Sequence, residues 1–140
     1  PCSAWELLLA LAAVLAKIRV PNGYHSDIGE RIWLEPAQRT DDDAIGLTVV
    51  SLGITRDDAQ PMGKHRDLRV LLEAAWPTAL DDAHQRAHEL IADIEDVLES
   101  DSWMPEALPV RFEEATILDR PEGLPVIVVQ VVLTVRYRRP

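Results

Sequence analysis

Between residues 125 and 139, apolar and polar positions alternate in a pattern that suits an extended chain. Ile127, Val129, Val131, Leu133, Val135 and Tyr137 fall on one face; Val126, Val128, Gln130, Val132, Thr134, Arg136 and Arg138 fall on the other. Side chains of a strand point alternately to its two sides, so the stretch predicts a long β-strand with one wholly apolar face. β-Branched residues dominate it, as a half-buried pleated surface favours. Such a strand needs paired neighbours and a cover for its face. Near its end the second face turns basic, so that end leaves the core for solvent or for a partner.

The remaining pattern supplies those neighbours. Residues 3–19 predict a helix: Ser3 and Glu6 have the spacing of a capping box, and Trp5, Leu8, Leu11, Leu15 and Ile18 form a stripe with Leu7 and Val14 beside it. Pro21, Asn22 and Gly23 stop it. A turn-rich link over residues 24–29 leads to a short strand at 31–35 that Pro36 ends or places at an edge. Residues 38–43 read as a solvated loop. Residues 44–53 read as a second strand, buried on both faces or bulged at Gly46.

Residues 54–67 are charged, aperiodic and contain Pro61 and Gly63, which predicts a long hairpin loop. The stretch 68–76 puts Leu68, Val70, Leu72, Ala74 and Trp76 on one face. Its Leu, Glu and Ala content would also suit a helix, but Pro77 cuts it short and a strand is expected. Residues 81–99 give the clearest second helix, with Asp81 and Asp82 at its positive N-terminus and Ala83, Ala87, Leu90, Ile91, Ile94, Val97 and Leu98 in its apolar stripe. Residues 111–119 and the last strand form a hairpin over 111–139, turning at 120–123. The order helix, strand, strand, strand, helix, strand, strand predicts a single α+β domain over residues 1–140. Its sheet is mainly antiparallel with about five strands, and two helices pack on one face.

Composition narrows the function classes. A net charge of −10 argues against a protein that grips nucleic acid through its phosphates. A single cysteine, Cys2, excludes an internal disulfide framework. The Ala/Leu-rich start lacks a basic leader and carries Glu6, and the apolar run of the last strand is too short for a membrane helix; a soluble intracellular domain is expected.

Candidate chemistry is sparse. His84 and His88 share a helix face with the i, i+4 spacing of zinc ligands, but Ala92 stands where an HExxH motif needs its second histidine. Surface residues are the simpler reading. Asp41, Asp42 and Asp43 lack the alternating oxygens and the glycine of a calcium loop. No nucleophile elbow or glycine-rich phosphate loop is present. No enzyme activity and no cofactor are expected.

Surface residues are left to explain. Trp33, Trp76, Trp103 and Tyr137 lie near element ends, where an aromatic packs equally well on a partner or on its own core. Candidate subunit or partner contacts are Trp33, then Arg56, Asp57, Asp58, Met62, Lys64, His65 and Arg66 in the charged loop, and Arg136, Tyr137, Arg138 and Arg139 at the basic end.

The Ala/Leu helix with Ser3-x-x-Glu6 is followed by Gly23-Tyr24-x-x-Asp27-Ile28-Gly29, a charged loop between strands, an amphipathic helix and a hairpin ending in Val135-Arg136-Tyr137-Arg138. In this order and over nearly the whole chain, it resembles the tail terminator (minor tail, tail-completion) proteins of long-tailed bacteriophages and prophages. The resemblance implies an α+β fold assembling into a hexameric ring on the last ring of the tail tube. There it ends tube polymerisation and offers a surface to the head-completion or neck protein. It implies, as partners, further copies of the chain, the tail tube protein and that neck protein, with DNA only passing through the channel and no membrane. It implies a place in the virion at the head-proximal end of the tail, after assembly in the bacterial host cytoplasm. If Asp41, Asp42 and Asp43 (or Asp57 and Asp58) line that channel, they repel the phosphate backbone; charge reversal that left DNA passage unchanged would remove this hypothesis. Two alternatives stay open: a head-completion or connector protein of the neck, and a small metal- or ligand-binding domain built on His25, His65, His84 and His88.

Overall fold

The alternating C-terminal stretch forms a 13-residue strand and lies inside a five-stranded sheet, not at its edge. The computed structural model describes residues 3–36, 46–56, 63–78, 81–100, 110–118 and 125–139, the side chain of residue 100 excepted. In chain order the elements are α1 (Ser3–Leu15), β1 (Ile32–Trp33), β2 (Gly46–Arg56), β3 (His65–Pro77), α2 (Ala83–Ser100), β4 (Arg111–Ile117) and β5 (Val126–Arg138), with short 3-10 turns at Val20–Asn22 and Ile28–Glu30. The sheet runs β1-β2-β3-β5-β4. This is the expected α+β architecture.

The β3–β5 pair is the spine. Leu68, Val70, Leu72 and Ala74 stand opposite Val135, Leu133, Val131 and Val129, and all eight are fully buried. Each such Val or Leu contributes roughly 1.5–3 kcal/mol by leaving water. Both helices cover this face, joining Leu11, Leu15, Leu90, Ile94 and Val97 to the same core. From β3 the chain crosses through α2 to β4, which runs parallel to β3 with β5 paired between them. The expected hairpin is present: β4 pairs antiparallel with β5.

Several expectations need correction. Residues 54–67 are not one long loop, because β2 continues to Arg56 and β3 begins at His65, with Thr55 opposite Asp67 and Arg56 opposite Arg66. Periodicity missed these residues because 51–56 of β2 are exposed on both faces, so nothing selects apolar side chains. The bulge in β2 lies between Ser51 and Gly53; Gly46 keeps a regular register opposite Ala75. Gly46 is needed for another reason: its φ is +147°, and a Cβ there would collide with the Trp33 ring. β1 is only two residues long and pairs parallel with β2, an exception to the antiparallel order.

Helix α1 ends at Leu15, although hydrogen bonds from Lys17 to Val14 and from Ile18 to Leu15 carry a tighter turn to the buried Ile18. Ser3 lies within α1, so it is not the residue preceding the helix. Trp5 is 40% exposed and is not part of the buried stripe, where Leu7 stands instead. With Leu7, Leu8 and Leu9 all apolar, the sequence left the edge of the buried arc undetermined.

Candidate functional site

The charge-rich end of the sheet is the most distinctive surface. Eight of the chain's 14 Lys and Arg residues gather there: Arg56, Lys64, Arg66, Arg69, Arg111, Arg136, Arg138 and Arg139. The topology does this, because the end of β2, the start of β3, the start of β4 and the end of β5 share one end of the sheet. His65 stands opposite Arg138, and the Arg139 amide donates to the Lys64 carbonyl at 2.9 Å.

Two carboxylates are set among these cations. Arg136 donates to both oxygens of Asp67, at 2.9 and 3.2 Å. That hydrogen bond, against a smaller opposing effect of burial, holds the Asp67 carboxyl below its ordinary value. Arg111 donates to Glu113 at 2.7 Å, and this bond lowers the Glu113 pKa as well. Asp67, Arg69, Arg111, Glu113 and Thr134, with Leu52, Gly53 and Thr55, line an open depression of about 460 Å³ on the sheet face away from the helices. That face continues as half-buried Val50, Leu71, Val128 and Val132, crossed by a hydrogen bond from Gln130 to Glu73 at 3.1 Å.

The expected contact residues divide. Arg56, Lys64, His65, Arg138 and Arg139 are exposed together at this end. Arg66 is half-buried and donates to the carbonyls of Gly63 and His65 at 2.8 and 2.9 Å. Arg136 belongs to the Asp67 pair. Tyr137 corrects the expectation, since it is 9% exposed and joins the core of its own chain, on the same face as Val135. Trp33 lies apart, half-buried over Gly46. Asp41, Asp42, Asp43, Asp57, Asp58, Met62 and Trp103 lie outside the described residues.

The histidines are not assembled into one site. His84 and His88 stack edge to face with centroids 4.8 Å apart on the exposed side of α2. His25 lies 3.5 Å from Glu89 through Nδ1, and His65 sits on the sheet end. Among the described residues no group of three or more His, Cys, Asp or Glu could hold a metal ion.

One functional group escaped the sequence reading. Asp93 of α2 is 1% exposed and accepts from the His25 amide at 3.0 and 3.1 Å and from the Ser26 hydroxyl at 3.0 Å. Burial raises its pKa, opposed by these hydrogen bonds. The contact ties α2 to the Gly23–Gly29 stretch. There Asp27 accepts from the Val20 amide at 2.8 Å, Ile28 is fully buried, and a Cβ at Gly29 would strike the Leu15 carbonyl oxygen. The signal was available: Asp93 lies three residues after Leu90 and four before Val97, inside the apolar stripe.

Among the described residues no helix is long and apolar enough to cross a membrane, which leaves β-barrel insertion unaddressed. In comparisons with known proteins, no family model and no curated protein matches the chain.

Proposed function

We propose that this chain is a structural assembly protein, a tail terminator that forms a ring on the end of a phage tail tube, stops its growth and presents a surface to the neck. The observation that supports it is the β2–β3 ribbon. The first four residues of β2 are buried, whereas all six from Ser51 to Arg56 are exposed, Leu52 and Ile54 at 46% and 50%. A strand that keeps its pairing while losing its cover is a ready arm for a neighbouring molecule. Its cationic flank stands out on a chain of net charge −10 and suits an acidic protein surface.

Electron microscopy of tail-tube protein polymerised with and without this chain tests the reading. Tubes that stop at uniform length with added density at one end are the expected result. Tubes of unchanged length and bare ends, with the chain bound at portal vertices of filled heads, would refute it in favour of a neck protein.

A further inference from the structure

We infer that copies of this chain join side by side through the two outer edges of the sheet, the outer edge of β2 in one copy pairing with β4 of the next. This rests on the ring-forming reading above. β1 covers β2 only at Leu47 and Thr48, so beyond residue 48 the outer side of β2 meets no strand among the described residues. Among the described residues β4 likewise pairs on one side only, with β5. Such edges expose backbone donors and acceptors that template a further strand.

Three features of the edges make a second copy the occupant. The lengths agree, since β4 has seven residues and the uncovered part of β2 extends from residue 49 to Arg56. The directions agree, because β2, β3, β5 and β4 alternate and β4 runs opposite to β2. Rotation about an axis along the strands preserves that opposition, so the junction is antiparallel like the sheet it extends. Exposed apolar side chains lie at both edges, Leu52 and Ile54 on β2, Phe112 and Leu118 on or just beyond β4.

Charge selects the opposite edge as the partner and disfavours a two-fold contact. Pairing β4 with another β4 would bring Glu113 and the exposed Glu114 of each copy together. Pairing β2 with β2 would bring together two edges whose uncovered stretch carries Arg56 and no carboxylate. The mixed junction instead joins an edge carrying Glu113 and Glu114 to one carrying Arg56. Each edge also carries one bulge, between Ser51 and Gly53 in β2 and between Phe112 and Glu114 in β4, which discourages indiscriminate strand addition. Two different patches joined by rotation make a heterologous contact, which gives a ring where the rotation closes and an open filament where it does not.

The test is cross-linking of a Cys2→Ser, Ile54→Cys, Glu114→Cys chain with a short bis-maleimide, both at high concentration and on tail tubes. A ladder of covalent multimers is expected from the double-cysteine chain, and monomer from either single-cysteine chain. Dimers from a single-cysteine chain overturn the edge assignment. So do rings, seen by microscopy, that yield no ladder, although these leave the ring-forming reading intact. No assembly under either condition overturns both. Glu114→Arg, at an exposed position, is expected to weaken assembly roughly three- to tenfold without altering the circular dichroism spectrum; unchanged assembly counts against the mixed junction.

Discussion

Replacing Asp93 with alanine is expected to remove a large share of the margin by which this fold holds together. The carboxylate is 1% exposed and receives the His25 amide and the Ser26 hydroxyl. Alanine leaves both donors in a dry site without an acceptor, at about 1–3 kcal/mol each, so a loss of about 3–5 kcal/mol is expected. A domain of this size is stable by only about 5–15 kcal/mol. Asp93→Asn keeps an acceptor oxygen but not the charge, and should cost roughly 1–2 kcal/mol near neutral pH. The pH dependence identifies the cause. Burial raises the folded-state pKa above 3.8, so the favourable contribution of the protonated form is complete below the unfolded value and is lost as pH rises through the folded value. Wild type should therefore gain on Asp93→Asn as pH falls through that interval. Urea denaturation of the three proteins across the acidic range measures this. An alanine variant within about 1 kcal/mol of wild type, or an Asn difference that ignores pH, refutes the view of Asp93 as a buried tie between α2 and the 23–29 stretch.

Three further outcomes follow from the packing. Gly29→Ala must push against the carbonyl groups of Leu15 and Ala16, and a loss of about 1–3 kcal/mol in denaturant titration is expected. Leu72→Ala opens a cavity between Val49 and Val131 in the centre of the sheet and should cost about 2–5 kcal/mol, read from the same titration. Asp67→Asn breaks a pair in which the Arg136 side chain is 36% exposed, so screening limits the loss to less than about 1 kcal/mol. Because the Asp67 pKa is lowered, its contribution is in place above 3.8 and is lost as pH falls through the folded value. Added salt should shrink the Asp67→Asn difference, and an effect unchanged by salt would point away from electrostatics.

How much of this was readable in the sequence depended on whether a side chain met one environment or two. β5 was plain because one face of every alternate pair, from Ile127 to Tyr137, enters the core. The apolar stripe of α2 was plain for the same reason. The outer half of β2 was invisible: with both faces in solvent, Thr55 and Arg56 serve a strand as well as any apolar residue, and only their pairing with β3 reveals it. Tyr137 and Trp33 could not be assigned to core or surface, because an aromatic at an element end suits either until its neighbours are placed. The clustering of cations was unreadable as well, since Arg56, Lys64, Arg111 and Arg139 lie far apart in sequence and meet only through the strand order. The Gly23–Gly29 stretch was noticed as a motif, but its reason is structural: a buried carboxylate from α2 holds it, and Gly29 lets it approach the end of α1.

The most direct measurement is the rotational symmetry and subunit count of the density at the end of a tail tube grown in the presence of this chain, obtained by averaging end-on and side images. A closed six-fold ring at one end, with its strands continuous from copy to copy, is the expected result. An open stack of subunits, or tube ends identical to those grown without the chain, contradicts it.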